Sequence, residues 1–370
     1  MAYFDLIQRR DHEGVVFCSD HSVGLKAIIG IHDTTLGPAL GGCRMKRYAS
    51  EEEALMDVLR LSRAMSYKSS MAGLNLGGGK TVVMLDDPSQ KTPELLKSLA
   101  DRISLLKGSY IGAGDVGSDT HDLKIMRQHC PWITGLARED GGLGDSAILT
   151  SLGVFMGIRA AVKEKLGRDD LDGLSVAVQG AGKVGFLLIS HLLSAGCKVT
   201  VADPNPTAVQ HVLDTHPEVK VVTLEELNAL EVDIFSPNAI GGVINETVAK
   251  NLNTKILAGG ANNPLGAENV APILHEKGIL YAPDFVINAG GVIMVACEIE
   301  GKSFEQAQRK TEAIYENTLR VFEYAKAKDV LPWEAARLLA VERIENTKRQ
   351  RLESPKKLES KGFGVAPALC

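Results

Sequence analysis

The twenty residues from Ser175 to Ser194, SVAVQGAGKVGFLLISHLLS, constrain this chain more than any others. A β-rich run, Val176-Ala-Val-Gln179, passes directly into Gly180-Ala181-Gly182-Lys183-Val184-Gly185, and an apolar helical pattern starts at once. Glycines spaced G-x-G-x-x-G between a strand and a helix permit a tight turn, bring bare backbone up to a pyrophosphate and let the helix pack closely on the strand. The helix N-terminus then offers free N–H groups and the positive end of its dipole to phosphate. The next β-rich run, Lys198 to Ala202, ends in Asp203, 23 residues after Gly180. A carboxylate there accepts both ribose hydroxyls and repels a 2′-phosphate, and Pro204-Asn205-Pro206 supplies no cation for one. The segment predicts a dinucleotide site that prefers NAD to NADP. A Rossmann-like fold that has lost its ligand is the competing reading.

From Ser175 to about residue 300, short β-rich runs alternate with helical ones, the pattern of a parallel, doubly wound α/β sheet. The glycine motif begins only at residue 180, which leaves room for a separate substrate domain before it. In that stretch Val15–Cys18 and Leu25–Ile31 read as a hairpin. Ser50-Glu-Glu-Glu53 is a capping signature for an amphipathic helix carrying Leu55, Val58, Ser62 and Met65 and ending near Tyr67. Lys80–Leu85 reads as a strand opened by a glycine loop, and Pro93–Leu106 as a helix. Residues 136–146, glycine-rich and charged, read as the interdomain linker. A helix follows over Val154–Leu166, and residues 303–345 are helical, with Pro332 opening a new helix. The expected division is a first domain over 1–140, a Rossmann domain over 141–330, and C-terminal helices and tail over 331–370 that return to the first domain.

Length and composition fit two ordinary globular cores: 370 residues, 45% hydrophobic and 24% charged. A net charge of −5 argues against nucleic acid or an anionic membrane as partner. The N-terminus has no signal-peptide pattern and no run approaches a membrane span, so a cytoplasmic location is expected. The six cysteines form no CxxC and no zinc-spaced set, and reduced thiols packed as small apolar residues are expected, with no metal. The tail from Thr347, with Lys348, Arg349, Arg351, Lys356, Lys357 and Lys361, reads as a frayed, solvated terminus.

Two lysines stand out. Lys68 ends Met65-Ser-Tyr-Lys68, and Lys80 ends Leu76-Gly-Gly-Gly-Lys80. A lysine beside bare backbone and a second cation has its pKa lowered towards neutrality, which leaves a neutral amine for acid/base work. GGGK is not a Walker phosphate loop, because a strand follows where a helix should. Asp115, within Gly112-Ala-Gly-Asp115-Val-Gly117, could reach into a cleft from a strand end. On spacing alone the lysines suit a solvated surface equally well, and Asp115 suits an Asx turn.

Here the chain resembles a known family. Thr35-Leu-Gly-Pro-Ala-Leu-Gly-Gly42, Gly73-Leu-Asn-Leu-Gly-Gly-Gly-Lys80, Ala113-Gly-Asp115-Val-Gly117 and Tyr281-Ala-Pro-Asp-Phe-Val-Ile-Asn-Ala-Gly-Gly291 are similar to segments of the glutamate/leucine/phenylalanine/valine dehydrogenase superfamily, most of all its leucine dehydrogenase branch. The resemblance runs to about residue 345 with the same domain order. It implies that Lys68 binds the substrate α-carboxylate, Lys80 activates the hydrolytic water and Asp115 shuttles protons with Lys80. Asn262 and Asn288 would orient substrate and nicotinamide, Thr150 would contact the carboxamide, and Ala239 would flank the nucleotide. Hydride leaves the amino acid's α-carbon, water adds to the iminium, ammonia leaves and a 2-oxo acid remains. A homo-oligomer, dimer or octamer, is implied as well.

The family pattern places Leu40, Gly41, Ala113, Val292 and Val295 around the substrate side chain. All are apolar, so a glutamate side chain would lose its hydration uncompensated. Leucine and other branched-chain amino acids are expected, with phenylalanine or tryptophan as the alternative, since pockets discriminate weakly among apolar groups. Met294 stands where relatives usually have asparagine and is expected to reshape that pocket. Lys183 likewise replaces a common asparagine, and the segment before Thr150 lacks a usual proline. Two other classes compete. A catalytically inactive NAD-binding regulatory protein would bind NAD without turnover. A hydroxy-acid dehydrogenase would need a histidine–carboxylate pair, and His191 and His275 fall on predicted helices without that context.

Overall fold

A computed structural model describes residues 3–267 and 269–353. Two sheets divide it. The first has five strands in the order β1-β2-β4-β3-β5, comprising β1 (Gly14–Asp20), β2 (Leu25–Asp33), β3 (Ala39–Lys46), β4 (Gly77–Met84) and β5 (Tyr110–Gly114). β1 and β2 form the expected antiparallel hairpin, while β3 runs parallel to both β4 and β5. The expected glycine loop before Lys80 is instead strand. Gly77, Gly78 and Gly79 are the first residues of β4, and Lys80 lies within it. Helix Glu51–Met71 crosses this sheet so closely that a Cβ on Gly78 would lie 2.2 Å from the Ser66 amide nitrogen. Gly78 lets helix and sheet approach, while a Cβ on Gly77 would strike the Asp33 carbonyl and one on Gly79 the Tyr110 ring.

Ser50 caps that helix by accepting from the Glu53 amide, and the helix buries Leu55, Val58 and Leu59 against the sheet. It runs a turn past Tyr67, so Lys68 is presented from its last turn. Helices Pro93–Ser104 and Thr120–Arg127 cover the opposite side through Leu95, Leu99, Leu123 and Met126.

The second sheet is wholly parallel, in the order β11-β10-β9-β6-β7-β8: β6 (Ser175–Gln179), β7 (Lys198–Ala202), β8 (Lys220–Val221), β9 (Glu231–Pro237), β10 (Asn253–Leu257) and β11 (Leu280–Tyr281). The strand order reverses at β6, so a crevice opens at the carboxyl end of that strand, where the glycine motif begins. The connection between the sheets is irregular apart from one 3-10 turn at Arg138–Asp140. It ends at residue 146 as expected, but the following helix, Ala147–Leu166, begins there instead of at Val154 and so takes in Thr150.

Helices Phe304–Glu312, Ile314–Lys328 and Pro332–Glu353 close the chain, the last opening at Pro332. That helix returns to the first sheet. Arg343 donates to the carbonyls of Ser70 and Leu74 at 3.0 and 2.9 Å, and Ser70 donates to the Ala340 carbonyl. The expected frayed tail is therefore helical over residues 347–353. Lys356, Lys357, Lys361 and Cys370 lie outside the described residues. Cys18, Cys43, Cys130, Cys197 and Cys297 are buried free thiols. Among the described residues no helix is long and apolar enough to cross a membrane, and no acidic, histidine or cysteine cluster suits a metal.

Candidate active site

On β3 the two-residue period puts Leu40, Gly42 and Arg44 on the face towards helix Glu51–Met71. Lys80 projects from the neighbouring β4, and Asp115 follows the end of β5. Their heads meet over Gly42. The Lys80 Nζ lies 3.0 Å from Asp115 Oδ2, and Arg44 Nε donates to the same oxygen at 2.7 Å. A Cβ on Gly42 would come within 2.7 Å of the Asp115 Cβ and 3.2 Å of the Lys80 Nζ. Only bare backbone fits beneath the pair.

Burial lowers the pKa of Lys80, and the Arg44 charge adds to that, against the opposing pull of Asp115. Burial pushes Asp115 up, but Lys80 and Arg44 outweigh it and hold the carboxyl below its ordinary value. Lys68 is lowered to about 8 by burial and by Lys80, against Asp284 and Asp115. The two lysines are thus shifted towards neutrality, as proton exchange there needs, while Asp115 is held as a carboxylate.

The second domain closes the cavity. Lys68 Nζ donates to Asn262 Oδ1 at 3.1 Å, and Asn288 Nδ2 donates to the same oxygen at 2.9 Å. Asp284 sits behind them, accepting from the Asn263 amide and the Tyr281 hydroxyl. The cleft holds about 250 Å³, and Leu40, Ala113, Val292 and Val295 contribute apolar wall. Met65 and Leu61 extend that wall from the lysine helix. Thr150 lines the same space beside Gly291, its hydroxyl donating to the Ser146 carbonyl.

Gly41 is the expected wall residue that the structure does not bring to this space. Its missing side chain would point into β4, 1.9 Å from the Gly79 carbonyl oxygen, and its own carbonyl accepts from Tyr110. The absence of a side chain at Gly41 permits β3 and β4 to pair. Met294, expected to reshape the substrate pocket, borders a neighbouring space. It is buried on the wall of an adjoining cavity of about 670 Å³ on the hinge side, with Glu298 and Arg138. His191 stacks on Phe155, and His275 lines a separate cavity of about 350 Å³, both remote from this site.

The glycine turn fits a dinucleotide. Gly180 takes φ +101°, which favours glycine, and packs against Ala239. A Cβ on Gly185 would lie 2.0 Å from the Gly180 carbonyl oxygen, so helix Lys183–Ser194 rests on the turn itself. Gly182 has no atom within 4 Å of where a Cβ would be, and its helix has no side-chain cap, so the N-terminal amides face open space. The Ala181 amide donates to Asp203 Oδ2 and the Asn205 amide to its Oδ1, each at 2.7 Å, which fixes that carboxylate beside the glycine turn. Val184 packs near Gly260 below the turn, and Lys183 pairs with Asp145 at 2.9 Å across the hinge.

Sequence reasoning missed four residues. Arg44 and its second partner Asp57 were findable from the period-two register of β3 with Gly42, but only once Gly42 was known to lie over Lys80. Asp284 carried no local signal. Glu298 ties the hinge by accepting from the Thr134 hydroxyl and the Gly135 amide at 2.8 and 2.9 Å, contacts more than 160 residues apart in sequence.

Comparison with known proteins decides the family. The description "Glu/Leu/Phe/Val dehydrogenase, dimerisation domain" matches residues 12–132, and "Glutamate/Leucine/Phenylalanine/Valine dehydrogenase" matches residues 205–351. The chain belongs to this dehydrogenase family. It is 46% identical over 351 residues to a leucine dehydrogenase of Geobacillus stearothermophilus, covering 95% of each chain. It is 44% identical over 337 residues to a valine dehydrogenase of Streptomyces coelicolor, covering 90% of this chain and 92% of that one. A crystal structure of L-tryptophan dehydrogenase from Nostoc punctiforme superimposes with a TM-score of 0.82 at 41% identity, over 94% of this chain and 99% of that one. As a member of the family, the chain is an amino-acid dehydrogenase with a Rossmann domain.

Proposed function

We propose that the protein catalyses NAD-dependent, reversible oxidative deamination of an apolar L-amino acid, leucine and its branched-chain relatives first, to the 2-oxo acid and ammonia. The observation that carries this reading is the buried Lys80–Asp115 pair, 3.0 Å apart, facing Lys68 and Asn262 across a cleft that Thr150 and Gly260 of the second domain also line. NAD, when bound, accepts the hydride from the substrate α-carbon. Lys68 pairs with the α-carboxylate, and Asn262 fixes its ammonium head. Lys80, with its lowered proton affinity, takes a proton from the attacking water. Asp115 Oδ1, which accepts no hydrogen bond among the described residues, is available to the substrate amine. Asn262 and Asn288 hold one another and the substrate edge, and Thr150 faces the nicotinamide side. Asp203 favours NAD by the same carboxylate that repels a 2′-phosphate.

The walls Leu40, Ala113, Val292 and Val295 offer a glutamate side chain no cation or hydroxyl, which supports an aliphatic substrate. A second reading, an aromatic amino acid, is favoured by the adjoining 670 Å³ cavity, which meets the first at Ala113 and Val295. The relative named a tryptophan dehydrogenase supports it too. A cytoplasmic homo-oligomer fits the matched dimerisation domain. Initial rates with leucine, valine, isoleucine, phenylalanine, tryptophan and glutamate plus NAD test the proposal. The expected order puts the branched-chain substrates first and glutamate last. Tryptophan above leucine would favour the second reading. NAD binding with no turnover of any would leave an inactive binding protein.

A further inference from the structure

Asp115 Oδ2 receives two cations, Lys80 Nζ at 3.0 Å and Arg44 Nε at 2.7 Å. A buried lysine with a carboxylate to itself holds its proton tightly, because the ion pair compensates its lost hydration. Guanidinium does not deprotonate in a protein, so of the two cations on one oxygen only lysine can yield. Arg44 is also held from behind: its Nη1 donates to Asp57 Oδ2 at 3.1 Å, and Asp57 accepts from the Tyr48 hydroxyl and from Arg60, each at 2.9 Å. Arg44 is thus suspended between two carboxylates, and its contact with Asp115 does not depend on substrate.

We propose that Arg44 is a positioning residue for the reaction: strung between Asp57 and Asp115, it keeps Asp115 from engaging Lys80 as an undivided ion pair and so leaves the lysine amine free to give up its proton. The inference rests on the reading that Lys80 performs proton chemistry. The groups acting on Lys80 are Arg44 and Cys43 on β3, Asp115 after β5 and Lys68 on the lysine helix; behind them Asp57 pairs with Arg44, Tyr110 borders Cys43 and Asp284 faces Lys68 across the cleft. Burial pushes Cys43 up to about 12 and Tyr110 well above its ordinary value, so neither titrates near neutrality.

The pH profile of kcat/KM for amino-acid oxidation tests this in Arg44→Gln, Arg44→Lys and Asp57→Asn. Arg44→Gln is expected to move the rising limb to higher pH by about one unit, a roughly tenfold loss near neutral pH that alkaline pH recovers. Arg44→Lys, which keeps the charge, is expected to hold the parent position. Asp57→Asn, which removes a negative charge from the same network, is expected to move the limb the other way. A second readout needs no turnover: the pH dependence of reductive methylation at Lys80, followed by mass spectrometry, should shift in the same directions. An unmoved limb with only a higher KM would mean that Arg44 binds substrate, and a pH-independent loss would mean a purely structural role; either overturns the inference. Activity retained in Lys80→Ala, run alongside, would instead sink the underlying reading while the methylation data still judged Arg44.

Discussion

Lys68 sits where its charge is costly. Its pKa falls to about 8 because burial and the Lys80 charge disfavour the ammonium more than Asp284 and Asp115 favour it. In the unfolded chain the same group titrates near its ordinary ~10.4, so between those values the unfolded state binds more protons and stability rises with pH. Below about 8 the full penalty remains. Lys68→Met is therefore expected to stabilise the apo-protein near neutral pH, by about 1 kcal/mol. That advantage should shrink as pH rises from 8 towards 10.5. The same change should lower kcat/KM for the amino acid roughly ten- to a hundredfold by removing the partner of the α-carboxylate. Thermal melts across pH and steady-state rates check both halves. A variant no more stable than its parent at pH 7 would contradict the assigned burial cost. The lysine is kept for its chemistry at the expense of stability.

At the scale of elements, β7 makes the cofactor side testable. Asp203, just past its end, holds the Ala181 amide at 2.7 Å and the Asn205 amide at 2.7 Å. Asp203→Ala is expected to raise the NAD Kd about tenfold or more and to narrow the preference over NADP, measured by fluorescence titration with both cofactors. An unchanged preference would reject the reading of that strand end. This unit was the most legible part of the sequence, because strand, glycine turn, helix and acid follow one another locally. The first domain was less so. Glycine is poor in isolated strands, so Gly77-Gly78-Gly79 read as a loop. The structure makes it strand because it pairs with β2 and β3, and the side chains it lacks would strike the Asp33 carbonyl, Ser66 and the Tyr110 ring, contacts no local pattern shows. Gly41 and Met294 show the same limit: family register puts them near the site, but the direction of each side chain depends on which face its element buries. Arg44 carried the opposite lesson, with a strong role in the site and no motif to announce it.

At the scale of the molecule, the site exists only because two separately folded sheets meet. The Lys68–Asn262 bond joins residues 194 apart in sequence, Lys183 pairs with Asp145 across the connection, and Glu298 fixes the irregular segment at Thr134 and Gly135. The C-terminal helix returns to brace the end of the lysine helix through Arg343, which holds Lys68 at the right depth. Such contacts leave no periodic trace in a sequence. The chemistry of the first domain and the dinucleotide of the second are nonetheless energetically separable. Lys80→Ala removes the reacting amine without touching the glycine turn, so kcat for leucine oxidation and the NAD Kd measured on one preparation test the account most directly. The expected result is a fall in kcat of about 10³-fold with NAD affinity unchanged. Turnover near the parent rate in a folded, NAD-binding Lys80→Ala protein would contradict it.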